Sequence, residues 1–302
     1  MAEFVHLHLH SDRSQLDSII QIPKLIPLCR EQGMRAVAIT DHGVVSAAIR
    51  LYEEARKEKD KDDNPVAPIK PIIGCELYLA PTDDHTLREP LEGHPPQQCY
   101  HLTALAKNAA GVSQLYQLSS LGYLEGYYYK PRVSIKQIEE IGKDLILLGA
   151  CAKGPVSWSL RNDNRAQAGE YLARLRDSFK DRFYLELMYH GLRFQEVLNE
   201  ELLEMSRLYE VPWIPTNDAH FLSREDHYEH SLMMCLQLKK TLPELDEAKM
   251  RYPTECYVKS PEEMESYWGE DACRRTLEIA EQVDITLELD KQRFPLYSEP
   301  DI

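Results

Sequence analysis

The chain has 302 residues, 43% of them hydrophobic and 28% charged, and its 35 Lys and Arg against 50 Asp and Glu leave a formal charge of −15. That length accommodates one large domain or two small ones, and the composition excludes a disordered or collagen-like chain. The acidic balance excludes a free-standing binder of duplex DNA, which needs Lys and Arg to neutralise phosphates.

No run approaches the roughly 18 apolar residues of a membrane span, and the N-terminus lacks the basic and apolar regions of a signal peptide. Seven cysteines without a CxxC pair fit a reducing compartment better than a disulfide scaffold. The expectation is a cytoplasmic protein with no membrane partner. In chain order, apolar runs at residues 4–9, 35–40, 69–79, 101–106, 145–150, 183–188 and 211–215 read as strands. Helical patterns at 20–31, 47–57, 113–121, 166–179 and 195–209 fill the gaps; in the last, Val197, Leu198, Leu202, Leu203 and Leu208 recur on one stripe. Seven strands alternating with helices predict parallel βα units, in a doubly wound sheet or a barrel. From Arg224 the pattern turns helix-rich, at 227–240, 261–267 and 272–283, so residues 1–223 read as the α/β domain and 224–302 as a helical C-terminal extension. Residues 58–68 and 82–98, charged or proline-bearing, read as surface loops.

The first strand carries His6, His8 and His10 at alternate positions, hence on one face, with Val5, Leu7 and Leu9 on the other. A row of imidazoles suits a metal ion; the plain alternative is a half-exposed strand. Other strands end on similar chemistry: 35–40 runs into Asp41 and His42, 72–75 into Glu76, 145–150 into Cys151, and 211–215 into Asp218 and His220. In βα architectures the carboxyl ends of strands gather at one face, where sites are built. His101 precedes its run, so pattern alone does not bring it there. Taken singly, Asp17 with Ser18 reads as a helix cap, and Cys151 as an inert buried thiol. Glu76, inside an apolar strand, needs a cation or hydrogen bonds. His190 is a site residue or a hydrogen-bonded loop residue. His85, His94, His227 and His230 read as structural or solvated.

The segments His6-Leu7-His8-Leu9-His10-Ser11, Ala38-Ile39-Thr40-Asp41-His42-Gly43 and Lys70-Pro71-Ile72-Ile73-Gly74-Cys75-Glu76 resemble the PHP (polymerase and histidinol phosphatase) superfamily. More narrowly, they are similar to the PHP domains that begin bacterial DNA polymerase III alpha subunits. Tyr100-His101-Leu102-Thr103, Leu124-Glu125-Gly126-Tyr127-Tyr128-Tyr129-Lys130-Pro131-Arg132, Thr216-Asn217-Asp218-Ala219-His220 and Lys259-Ser260-Pro261-Glu262-Glu263-Met264 extend the match in order, to about Arg293-Phe294-Pro295. The resemblance implies a distorted seven-stranded (β/α) barrel of PHP type. It also implies three divalent ions, for which mixed His, carboxylate and Cys ligation suits Zn²⁺ or Mn²⁺ better than Mg²⁺. Under it, His8, His10, Glu76 and Asp218 hold one ion. Glu76 bridges to a second with His101 and Cys151, and Asp17, His42 and His220 hold the third. This replaces the cap reading of Asp17 and the inert reading of Cys151. Departures from the family are Arg13 in place of an aromatic, Ser18 in place of Gly, Lys153-Gly154-Pro155 in place of an Ala-Gly-Glu type of turn, and an insertion-like loop at 58–68.

The implied activity is a metal-dependent phosphoesterase, foremost a 3′→5′ exonuclease acting on a DNA 3′ end beside a polymerase core or other replisome subunits. Candidate phosphate contacts are Arg13, Lys130 and Arg132, with His190 as proton carrier or hydrogen-bond donor; Tyr127, Tyr128 and Tyr129 either stack on a base or pack on the barrel. Two other readings stand beside it: a metal-stiffened docking module without catalysis, and a stand-alone phosphatase of histidinol-phosphatase type. Polymerisation is not expected, because the family's nucleotidyl-transfer carboxylates lie beyond Pro300-Asp301-Ile302. Residues 1–190 carry about −2 and residues 191–302 about −13. The acidic excess thus avoids the part bearing most of the candidate ligands, and three divalent ions would bring that part to about +4.

Overall fold

The computed structural model describes residues 2–289 and 291. The end of the family match at Arg293-Phe294-Pro295 and the last part of the expected extension lie outside the described residues. The strands are β1 (Ala36–Ile39), β2 (Lys70–Leu79), β3 (Tyr100–Ala106), β4 (Tyr127–Tyr128), β5 (Lys130–Val133), β6 (Leu145–Leu148), β7 (Phe183–Met188) and β8 (Trp213–Thr216). The helices are α1 (Ile22–Glu31), α2 (Ala48–Ala55), α3 (Ala109–Leu124), α4 (Ile135–Ile141), α5 (Pro155–Arg161), α6 (Arg165–Phe179), α7 (Arg193–Tyr209), α8 (His227–Leu238), α9 (Leu242–Glu247), α10 (Pro261–Trp268) and α11 (Glu270–Glu281).

Strand order is β4-β5-β2-β3-β6-β7-β8, with β1 beside the first half of β2. The segment around residues 6–10 spans the remaining gap. On one side Ala38 N donates to His6 O and Thr40 N to Leu9 O; on the other, Leu9 bridges Ala219 in parallel just past β8. With β4 and β5 outside the ring on β2, the result is a distorted barrel of seven staves, β1, β2, β3, β6, β7 and β8 with the first segment as the seventh. That segment was expected as a regular strand and is not one. Threonine hydroxyls take two of its amides, Val5 N on Thr276 Oγ1 (3.0 Å) and Leu9 N on Thr40 Oγ1 (3.1 Å), so the carbonyl ladder is interrupted.

A second difference concerns strand direction. Parallel neighbours were expected throughout, but β3 runs antiparallel to both β2 and β6. Residues 80–99 contain no helix to carry the chain back across the sheet, so β3 returns beside β2 in the opposite sense. Residues 127–133 form a hairpin, with Tyr127 opposite Pro131 and Tyr128 opposite Lys130.

The core is one apolar cluster running through β1, β2, β3, β6, β7 and the inner faces of α1 to α7. Chain ends of the described region pack on its base: Val258, Ile279, Ala280 and Val283 join the core, and Phe4 packs with Met264 and Cys273. Capping boxes at Ser134 and Ser260 start α4 and α10. Among the described residues, no helix is long and apolar enough to cross a membrane.

Candidate metal centre

The sequence alternation puts His8 and His10 into the barrel's mouth, where their Nε2 atoms lie 3.2 Å apart. His6, one step lower, leaves the group and donates from Nε2 to Lys259 O (2.9 Å). Around the pair, His8 Nε2 is 3.5 Å from Glu76 Oε1 and 3.3 Å from Asp218 Oδ1, and His10 Nε2 is 3.4 Å from Glu76 Oε2 and 3.1 Å from Asp218 Oδ1. On one flank, His101 Nδ1 lies 3.0 Å from Glu76 Oε1, and Cys151 Sγ lies 4.0 Å from the same oxygen and 3.9 Å from His101 Nδ1. On the other, Asp17 Oδ2 is 3.4 Å from His42 Nε2 and 3.2 Å from His220 Nε2, while His42 Nδ1 faces Glu76 Oε2 at 2.8 Å. All nine expected residues therefore meet in one place.

His101 arrives because β3 is antiparallel. Its N-terminal end lies at the same rim as the carboxyl ends of β1, β6 and β8, so a residue preceding its apolar run reaches the same mouth. Three groups of donor atoms lie close enough to share an ion: His10 with Asp17, His42 and His220; His8 with His10 and Glu76; and His42 with Glu76 and His101. His10 and His42 each belong to two groups, whereas the family resemblance assigns each to one ion.

The donor set fits divalent metal ions. Asp17 Oδ2, His42 Nδ1, Glu76 Oε2, Asp218 Oδ1 and His220 Nε2 are buried and form no well-aligned hydrogen bond, facing only one another and the other ligand side chains, and all five converge here. Buried polar atoms are normally satisfied, so such a concentration calls for a cation. Charge points the same way. Burial opposes a carboxylate at Glu76, yet His101, His42 and His8 hold it well below its ordinary range, and the Asp218 and Glu76 carboxylates raise His10 to about 10 against its burial. Burial pushes the Cys151 thiol well above its usual value.

Side chains behind the ligands fix their aim. His8 Nδ1 donates to Glu186 Oε2 (2.8 Å), leaving Nε2 for the cluster. Glu186 also accepts from Thr216 Oγ1 (2.7 Å) and from Ala150 N (2.6 Å), next to Cys151. Ser14 Oγ lies 3.2 Å from His10 Nδ1 and 3.2 Å from Asp41 Oδ1, and accepts from His42 N (2.9 Å). Asp218 has a left-handed backbone, with φ of 45°. The preceding Asn217 is caged: its amide donates to Glu255 O and Tyr257 O, its Oδ1 accepts from Lys259 Nζ (2.9 Å), and its carbonyl accepts from His190 Nε2 (2.9 Å). Sequence reasoning missed Glu186, although it is a carboxylate inside an apolar strand, the same signal that singled out Glu76.

A cleft of about 810 Å³ opens over the cluster, lined by Asp17, His42 and His101 from within and by Arg13, Lys130 and Lys153 at its walls. Tyr123, Tyr127 and Tyr129 line it too, as do Met234 and Leu238 of α8. Of the four expected phosphate or proton contacts, Arg132 and His190 are not in it. Arg132 is buried at 1% exposure, its guanidinium spent on the carbonyls of Gly126, Gln98, His85 and Leu87, so it organises the loop before β3 and cannot reach a phosphate. His190 is buried with both ring nitrogens engaged, Nε2 on Asn217 O and Nδ1 by Gln195 Nε2 (2.9 Å), which leaves neither for a proton relay. Among the histidines read as structural or solvated, His230 donates to Asp17 O (2.7 Å), His227 to Tyr252 O (2.8 Å), and His94 Nδ1 lies 2.6 Å from Tyr100 Oη.

The PHP domain family matches residues 6–190. DNA polymerase III subunit alpha of Aquifex aeolicus (strain VF5) is 35% identical over 296 residues, covering 95% of this chain and 25% of the relative. The same subunit of Borreliella burgdorferi is 36% identical over 288 residues, covering 94% of this chain and 24% of the relative. The chain spans about a quarter of the length of these curated relatives. Among solved structures, a protein of Bifidobacterium adolescentis assigned as a metal-dependent phosphoesterase aligns over 73% of this chain and 88% of its own, at 13% identity and a TM-score of 0.36. On the family match across more than half its length, the chain belongs to the PHP domain family.

Proposed function

We propose that the chain is a metal-dependent phosphoesterase, and specifically a 3′→5′ exonuclease that removes nucleotides from a DNA end beside a replicative polymerase. The observation that carries this reading is the convergence beneath an open cleft of five buried polar atoms that face other histidines and carboxylates and form no well-aligned hydrogen bond with them. Its three ions, Zn²⁺ or Mn²⁺, would be held by His8, His10, Glu76 and Asp218; by Glu76, His101 and Cys151; and by Asp17, His42 and His220. When bound, such ions supply Lewis acidity to attack at phosphorus and neutralise the oxygens of an in-line displacement.

The chain's own residues do the positioning. Lys130 sits 5.0 Å above the Tyr78 ring, which stacks on His42, so its ammonium is held toward the cluster; Arg13 and Lys153 face the same cleft. These three cations meet the phosphates on either side of the scissile bond. The match to polymerase alpha subunits favours DNA as substrate and a polymerase core as partner.

A non-catalytic docking module is the second reading, favoured by the location of His8 and His10 on the segment that closes the barrel. One experiment separates the two: measure metal content, then 3′ nucleotide release from primer ends with and without chelator, with a His8→Ala/His10→Ala variant as control. Full metal occupancy without chelator-sensitive release sinks the exonuclease and leaves the module. Hydrolysis of histidinol phosphate but not DNA selects a small-molecule phosphatase instead.

A further inference from the structure

Residues 127–133 form a hairpin at the cleft mouth whose tip is a single residue, Tyr129. Tyr129 has φ of 59°, a left-handed conformation that a bulky side chain rarely adopts. Tyr129 is 62% exposed, Tyr127 is 52% exposed, and Tyr123, from the end of α3, is 47% exposed and stacks on Tyr127 with centroids 6.3 Å apart. All three line the cleft. The intervening Tyr128 does not; it lies under the Arg132 guanidinium at 5.0 Å.

The same hairpin delivers Lys130, whose ammonium stands 5.0 Å over the Tyr78 ring, itself 5.5 Å from His42 and 5.3 Å from His101. Two ring contacts thus connect the hairpin to the histidine–carboxylate cluster. Exposed aromatic faces beside a cation, at the rim of a cleft that opens over a histidine–carboxylate cluster, are the features of a stacking platform for single-stranded nucleic acid.

We infer that Tyr127 and Tyr129, backed by Tyr123, form a subsite for an unpaired nucleobase, the base of the nucleotide whose phosphate lies over the cluster. This rests on the phosphodiesterase reading above and adds where the base goes. Because stacking on the ring faces is open to every base, the subsite tolerates any base but requires it to be unpaired. Its charge partner is Lys130, which contacts the neighbouring phosphate.

The test uses phosphorothioate-linked pentathymidylate, which resists cleavage, and the same strand with an abasic 3′-terminal residue, with binding followed by fluorescence anisotropy on the metal-loaded protein. Tyr127→Ala and Tyr129→Ala are expected to weaken the base-bearing strand about tenfold each and to leave the abasic strand unchanged, with Tyr127→Phe retaining affinity. Thermal midpoint and metal content, read alongside, report whether these surface substitutions leave the fold and the cluster intact. Equal weakening of both strands, or none of either, overturns the subsite. Base-dependent binding without chelator-sensitive cleavage of an ordinary strand keeps the subsite and overturns the phosphodiesterase reading; cleavage without base dependence does the reverse.

Discussion

His8 and Glu186 form a buried imidazole–carboxylate pair, Nδ1 to Oε2 at 2.8 Å, and the same carboxylate also binds the segments that carry Cys151 and Asp218. One side chain therefore fixes three of the segments that build the cluster. A carboxylate behind a ligating histidine sets its tautomer, and loss of such a group lowers metal affinity about 10–100-fold. Glu186→Gln presents an amide that cannot accept at both oxygens, and Glu186→Ala removes all three contacts. Chelator competition should show metal affinity falling in both variants, further in the alanine form. Unaltered affinity would mean that the three segments hold themselves.

Arg132 and Lys130, two residues apart, are expected to separate stability from substrate binding. Arg132→Met leaves four carbonyl contacts unmade, two of them fully buried, and should destabilise the protein by about 2–4 kcal/mol in urea denaturation. Lys130→Met should leave the denaturation midpoint within experimental error and raise KM for a DNA end. A reversed pattern would restore Arg132 as a phosphate contact.

His190 gives the protein an acid sensitivity of known sign. Burial lowers its pKa from 6.5 to about 4, so between those values the unfolded chain takes up a proton that the native site refuses. Stability from this residue is full above pH 6.5 and is lost as pH falls toward 4. From pH 7 to pH 5 the loss amounts to about 2 kcal/mol. His190→Gln, measured by urea denaturation at both pH values, should show a loss smaller by that amount; parallel losses in the two proteins would refute it.

Chelation should lower the thermal midpoint as well as any activity, because ions that bind only the folded chain stabilise it by mass action. The His8→Ala/His10→Ala variant should show a lower starting midpoint and little further response to chelator. A wild-type midpoint indifferent to chelator would argue against metal occupancy in solution.

Most of the candidate ligands were legible because strand ends converge and because polar residues in apolar strands are costly, a signal carried by Glu76 and the His8–His10 alternation; Asp17 and Cys151, which read singly as a cap and an inert thiol, were assigned only by the family resemblance. His101 was not placed by pattern, since its position depends on the direction of β3, which follows from the helix-free return at residues 80–99. Arg132 and His190 were misread for a common reason. A charged or titratable side chain near a motif looks the same in sequence whether it faces a cleft or satisfies buried carbonyls, and only the loop at 85–98 and Asn217 decide between them. The first segment looked like an ordinary strand because nothing local reveals that Thr276, 271 residues away, takes the amide of Val5.

That distance has a consequence for biosynthesis. His8 and His10 leave the ribosome well before the partners that seat their segment, Ala219, Lys259 and Thr276. At roughly 5–20 residues per second the imidazoles wait on the order of 10–50 s before the seam can form. The pocket is therefore completed only once residue 276 has emerged, and a nascent chain halted before Ala219 lacks His220 and the seam, so it has no finished cluster with which to capture a metal.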